Sequence, residues 1–151
     1  MSDKQLQATA IEEQKMIGKA ILLLINQNRN MKDYIGIDHA SFNFLEKDKD
    51  VGLFPTQGAA YISKNIMGGY KAQYPFNLYV RKSAPSDRER MELSEFADGL
   101  CAYITENKDA IILDDGRKVD SIEQTSLTTL VERVGSVDTY RASMKLIYKK
   151  E

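Results

Sequence analysis

Tyr140-Arg141-Ala142-Ser143-Met144-Lys145-Leu146-Ile147-Tyr148 is the stretch on which the reading of this chain turns. Tyr140, Ala142, Met144, Leu146 and Tyr148 share one parity, and Arg141, Ser143, Lys145 and then Lys149 mostly occupy the other. Period-two alternation of apolar and polar residues marks a half-buried strand. The chain is therefore expected to end inside a sheet, with no catalytic tail. Immediately before it, Gly135-Ser136 reads as a turn, and Val119 to Val134 reads as one strand with a bulge, because its alternation slips around Ser126. These two arms predict an antiparallel hairpin.

A second hairpin is expected upstream. Ala59 to Met67 and Tyr70 to Lys82 flank Gly68-Gly69, a dipeptide that tolerates positive φ. In the second arm Phe76, Leu78 and Val80 alternate with Asn77, Tyr79 and Arg81. Pro75 has no N–H to donate, so it belongs at the start of pairing or at a bulge. Ala84-Pro85-Ser86-Asp87 breaks the strand. Ser86, with Glu89 three positions on, is a capping pair that opens a helix over Asp87 to Glu106. The apolar stripe of that helix is Leu93, Phe96, Ala97, Leu100, Tyr103 and Ile104.

The first element is a helix from Thr9 to Asn28, with apolar residues from Ile11 to Ile25 at three- and four-residue steps. Thr9 and Glu12 form its expected cap, and Glu12 and Glu13 suit the positive helix N-terminus. Gly18 weakens this helix unless it marks close packing. Residues 1–8 are polar and expected to be disordered. Ala40 to Leu45 reads as a short strand and Leu45 to Gly58 as a loop. In that loop Leu53-Phe54-Pro55 is either a contact point or a segment folded back over the sheet edge. Asn107 to Lys118 is a connector with a turn at Asp114-Asp115-Gly116, and Ile111 to Leu113 is expected to pack under the sheet edge. These elements predict an α+β fold. It is a single domain over 1–151, a mostly antiparallel sheet of about four to five strands flanked by two main helices.

Composition narrows the function classes. A formal net charge of -1 argues against a dedicated nucleic-acid binder. Arg88 and Arg90 with Lys71, Arg81 and Lys82 would form a basic patch, but the interspersed Asp87, Glu89 and Glu92 favour an ordinary exposed face or a subunit interface. Eight Tyr with no Trp, several of them on strands, fit either core packing with surface hydroxyls or a protein contact surface. Cys101 is the only cysteine, so no intrachain disulfide or zinc cluster is expected, and a reducing cytoplasm suits it. Its place beside Leu100 reads as a small buried hydrophobe. The N-terminus shows no signal pattern, and the apolar run Ala20 to Ile25 is too short to span a bilayer. His39 is the only histidine and has no companion nucleophile. Neither Asp48-Lys49-Asp50 nor Asp114-Asp115-Gly116 has calcium-loop spacing, so no metal or cofactor is expected.

The block Tyr74-Pro75-Phe76-Asn77-Leu78-Tyr79-Val80-Arg81-Lys82, followed by Ser86 to Ala97, resembles a phage protein family. It is similar to the minor capsid and tail-terminator (tail-completion) proteins of long-tailed phages and prophages of Gram-positive bacteria. Val119 to Thr129 resembles their penultimate strand, and Asp138 to Lys149 their closing strand. The resemblance covers Tyr70 to the end, about half the chain. It implies a helix-flanked antiparallel sheet and a homo-oligomeric ring, commonly a hexamer, that caps the tail tube at its head-proximal end. The implied partners are copies of the chain itself, the tail-tube protein and head-tail connector proteins. No membrane and no specific nucleic acid is expected. The implied location is the virion, assembled in the bacterial host cytoplasm, and no catalytic residue is implied. The contact residues inferred here are Leu53, Phe54 and Pro55, the strand-to-helix corner at Arg81, Lys82, Asp87, Arg88 and Arg90, and the hairpin turn at Arg133 and Asp138. A head-tail neck protein is one alternative. A small ligand-binding α+β domain is a second, and an enzyme a third that lacks a titratable cluster.

Overall fold

Two strands of 14 residues each, β4 (Tyr70–Ser83) and β7 (Val137–Lys150), form the axis of the molecule. They pair antiparallel over their whole length, from Tyr70 opposite Lys150 to Ser83 opposite Val137. Such a ladder runs about 46 Å, so neither edge of it can be covered by one short strand. Each edge takes two. Along β4 lie β3 (Ala60–Lys64) and then β2 (Asp50–Pro55), with β1 (Ser41–Phe42) parallel to β2 outside it. Along β7 lie β5 (Arg117–Gln124) and then β6 (Thr129–Val134). The computed structural model describes residues 7–114 and 116–151. Among them the sheet has seven strands, in the order β1-β2-β4-β7-β5 with β3 and β6 as the additional flanks. The fold is α+β as expected, with more strands than expected.

The extra strands come from two segments whose pairing is set by partners distant in sequence. Val119 to Val134 is not one bulged strand but β5 and β6, separated by residues 125–128. At that gap the Ser126 hydroxyl accepts from the Ser143 N–H at 3.0 Å, and Thr125 N–H donates to Ser143 O at 2.8 Å. A side chain replaces the backbone acceptor, so β7 continues while its partner changes. The second segment is 45–58, expected as a loop. Its residues 50–55 are β2, with Leu53 opposite Leu78. Ala40 to Leu45 contributes only the two residues of β1.

Pro75 lies mid-strand without breaking a ladder. Its carbonyl accepts from Thr56 N–H at 3.1 Å, which places its N–H side on the β2–β3 edge. There β4 passes from β3, ending at Gln73, to β2, beginning at Phe76. The missing donor therefore falls in the gap between partners.

Helix α1 (Ile11–Asn26) and helix α2 (Asp87–Glu106) pack on the same face of the sheet. That face carries Ala72, Tyr74, Phe76, Leu78 and Val80 of β4, and Ala142, Met144, Leu146 and Tyr148 of β7, all buried. Ser86 caps α2 as expected, accepting from Glu89 N–H at 3.2 Å. The α1 cap differs. Its N-cap is Ala10 with no side-chain bond, because Thr9 turns away and its hydroxyl donates to Ala59 O at 3.4 Å. Gly18 marks close packing, since a Cβ there would lie 2.8 Å from the Tyr74 hydroxyl and 3.2 Å from Phe42 Cε1. Residues 1–6 of the expected disordered tail lie outside the described residues. Gln7 and Ala8 are held, Gln7 O accepting from Tyr61 N–H at 2.8 Å and Ala8 bridging Ala60. Asp115 also lies outside the described residues, but Arg117 N–H donates to Asp114 O at 2.9 Å across the expected turn. Ile111 is buried as expected, whereas Ile112 points to solvent.

Candidate functional site

The strand-to-helix corner and the last hairpin, far apart in sequence, meet at one end of the sheet. β4 ends there, β7 begins and α2 starts its first turn. Ala84 N–H donates to Ser136 O at 2.7 Å, which ties the β6–β7 turn to the corner. On the helix side of the sheet Asp138 is 0% exposed. Arg133 holds it from the neighbouring strand, Nε on Oδ1 at 2.7 Å and Nη2 on Oδ2 at 3.1 Å. This hydrogen bonding first, with the Asp138 charge as a lesser cause, raises the Arg133 pKa against the effect of desolvation. Arg90 of α2 reaches the same carboxylate, its Nε 3.8 Å from Oδ2, and bonds Asp87 Oδ1 at 2.5 Å. Arg90 Nε is buried and makes no hydrogen bond of its own, while the rest of the guanidinium bonds Asp87 and Pro85 O, so its charge is shared between Asp138 and Asp87.

On the opposite side of the sheet Arg81 forms a second clamp. It donates to Thr139 Oγ1 at 2.7 Å, Glu46 O at 2.9 Å and Glu132 Oε1 at 3.0 Å. Lys82, one residue on, points to the helix side and lies over the Tyr34 ring at 3.6 Å. Tyr34 in turn packs on Phe96 at 5.3 Å, and burial raises its pKa, with Glu92, Glu89 and Glu95 adding to the effect. Strand alternation thus sends neighbouring cations to opposite faces, so Lys71, Arg81, Lys82, Arg88 and Arg90 form no common basic patch.

Of the residues inferred as contacts, Arg81, Arg90 and Asp138 are internal clamps of this corner. Asp87 is 98% exposed on its side chain, and Arg88 and Arg133 also reach solvent. Leu53, Phe54 and Pro55 lie elsewhere, on β2 opposite Leu78, Asn77 and Phe76. Leu53 is wholly buried and is corrected to a core residue. Its strand parity puts it on the helix side. Phe54 is half-buried and meets Tyr79 edge-on at 5.0 Å, so it folds onto the sheet as the second of the two readings held. His39 is exposed in a bend. Cys101 is buried in α2, and desolvation, with Asp98 adding to it, pushes its thiol up to about 12.

Two features escaped sequence reasoning. The first is Glu13, read only as a charge suited to the helix N-terminus and in fact buried. It accepts from Tyr70 at 2.6 Å, from the Tyr148 hydroxyl, and from Arg117 Nη2 at 2.7 Å. Arg117 also donates to the Tyr70 oxygen at 2.7 Å and pairs with Asp114. Desolvation works against the Arg117 charge, but Tyr70, Glu13 and Asp114 outweigh it and raise its pKa. No motif announces this cluster, because its members come from α1, β4, β5 and β7. The second feature is exposed apolar surface at Leu127, Leu130, Val131 and Val134 around β6, no residue of which is buried. Here a sequence signal existed: Leu130-Val131-Glu132-Arg133-Val134 places apolar side chains at both parities, which a half-buried strand avoids.

The sequence matches no described protein family and no curated protein. The fold does match a solved one. It superposes on a chain from the virion of a native gene transfer agent (GTA) particle, with a TM-score of 0.66. The match covers 93% of this chain and 99% of that one at 11% identity, so the two share their fold. Among the described residues no helix is long and apolar enough to cross a membrane.

Proposed function

We propose that this chain is a structural subunit of a phage-like virion, and within it the tail terminator whose ring closes the head-proximal end of the tail tube. The observation that carries the reading is the fold shared over nearly the full length of both chains with a gene transfer agent virion protein. The resemblance of Tyr74 to Ala97 and of the closing strand to tail-terminator proteins supports the finer role. The role is mechanical: the chain docks on copies of itself, on the tube and on a head-tail connector, in the cytoplasm of the bacterial host, and makes or breaks no bonds. Two surface properties suit such docking. Leu127, Leu130, Val131 and Val134 present apolar surface at one sheet edge. The Asp138 and Arg81 clamps hold the adjoining β6–β7 hairpin rigid on both faces, so that it is preorganised for a partner.

The test is polymerisation of the cognate tail-tube protein with and without this chain, read by electron microscopy. Rings at one tube end and tubes of limited length support the terminator role. Binding to connector proteins with no effect on tubes assigns the neck role instead. Binding to neither refutes the virion reading.

A further inference from the structure

One face of the sheet carries no helix, and its charge is opposite in sign to that of the chain. Odd-numbered residues of β4 and β7 point there, together with the matching positions of β5 and β6. Those strand positions hold the cations Lys71, Arg81, Lys118, Arg141, Lys145 and Lys149 against the carboxylates Asp120, Glu123 and Glu132. Asp50 of β2 stands opposite Arg81 on the same face, so the excess is two positive charges, in a chain whose net charge is -1. Lys71, Arg81 and Lys145 have partners at 3.4, 3.0 and 3.5 Å. Lys118, Arg141 and Lys149 have no ion pair among the described residues.

The placement of the lysines conflicts with stability. Lys71 lies directly opposite Lys149, and Lys149 directly opposite Lys118, so three lysines are in register on three adjacent strands, of which Lys71 alone has a carboxylate partner, Asp120. Like charges in cross-strand register are destabilising. A local conflict of this kind in an otherwise consistent fold points to a functional demand, here an anionic surface that neutralises the row.

An anionic surface of matching extent lies on the opposite side of the same molecule. Helix α2 has six carboxylates and two arginines. Its outward stripe includes Glu92, Glu95, Asp98 and Glu106, and neither Glu95 nor Glu106 has an ion pair among the described residues. From Glu92 to Glu106 the helix rises about 21 Å. From Arg141 to Lys149 the strand runs about 27 Å. A protomer has its sheet face and its helix face on opposite sides of two layers, so it cannot satisfy both itself.

We infer that the open sheet face of one copy docks the outward stripe of α2 of a second copy, a head-to-tail contact held by charge. Unlike surfaces meeting in this way generate closed rings or filaments, according to the rotation between neighbours. The inference rests on the assembly role proposed above and names the surfaces that carry it. Charge-held contacts are strongest at low salt.

Sedimentation velocity on the full chain tests it, with two variants: K118E/R141E/K149E, which reverses the sheet face, and E95K/E106K, which reverses the helix stripe. Wild type should self-associate at about 50 mM salt and dissociate towards about 500 mM. Each variant alone should associate at least about tenfold more weakly, because like now faces like. An equimolar mixture of the two should recover association, since each then offers the other a complementary face on both sides. Lys149→Glu alone should raise the melting temperature of the monomer, which separates charge repair from misfolding. A wild type monomeric at low salt, variants that assemble normally, or a mixture that fails to recover would each overturn the contact. So would retention of duplex DNA by wild type and not by the sheet-face variant, which would make this a nucleic-acid surface. Rings that persist in both variants would overturn the contact while leaving the virion reading intact.

Discussion

Glu13→Ala should be the most damaging single substitution at a charged position in this protein. Glu13 accepts from two tyrosine hydroxyls and pairs with one guanidinium, and it joins α1 to β4, β5 and β7 at once. Truncation leaves Tyr70, Tyr148 and Arg117 turned towards an empty acceptor position. A hydrogen bond to a charged group contributes about 1.5–3 kcal/mol, and contributions within one network are not additive. Breaking a buried ion pair by removing one partner costs about 3–5 kcal/mol. Arg117 retains Asp114, and alanine gains a few tenths in helix propensity, so about 3–4 kcal/mol is expected. That is a large share of the roughly 5–15 kcal/mol by which a domain is stable. With a urea m-value of about 2 kcal/mol/M, the unfolding midpoint should fall by about 1.5–2 M at unchanged m. Glu13→Gln should lose about half as much, because it keeps the shape and one acceptor. Combining Glu13→Gln with Arg117→Met should cost less than the two singles summed, by about 1 kcal/mol or more. A midpoint shift below about 0.5 M for the alanine variant would refute the argument, because the carboxylate would then be no pin between helix and sheet.

Three further outcomes are expected. Gly18→Ala should destabilise by about 1 kcal/mol despite the better helix propensity of alanine, since the new methyl meets the buried Tyr74 hydroxyl; a rise in melting temperature would show that the ring yields freely. Asp138→Ala should cost about 3 kcal/mol in chemical denaturation, because it removes the buried carboxylate that accepts both Arg133 bonds and lies beside Arg90 Nε, whereas Asp87→Ala should change stability by less than about 0.5 kcal/mol. On the alkaline side burial raises Tyr70 from 10.0 to about 12 and Cys101 from 9.0 to about 12, and moves Tyr74 and Tyr148 further in the same direction. A raised folded-state pKa contributes stability that is complete below the unfolded value and is lost as pH climbs to the folded one. Melting temperature should therefore hold up to pH 9.0 and fall through pH 12, with tyrosinate absorbance of the buried rings appearing only on unfolding.

The legibility of this chain followed the range of its interactions. Helix α2 reads from Ser86 to Glu106 because its cap, its charged first turn and its apolar stripe all lie within the segment. The β3–β4 hairpin and the β7 arm of the last hairpin read for the same reason, each being a local alternation that meets a glycine turn, whereas the division of the preceding arm into β5 and β6 did not. Residues 45–58 did not, since the alternation of Val51 and Leu53 is too short to mark a strand until β4 supplies its partner. Of the ten residues inferred as contacts, the corner and the hairpin turn do converge. Burial then divides them into clamps such as Arg81 and Asp138 and surface groups such as Arg88.

The α+β class, the order of the main elements and the parity of the long strands are legible in the residues alone, because alternation and capping are set a few positions apart. Which charges are structural and which face solvent follows from long-range packing. The buried Glu13, the clamp at Asp138 and the row Lys71–Lys149–Lys118 each join strands and helices distant in sequence. The desolvation and mutual repulsion that define them exist only once the chain has brought those groups together.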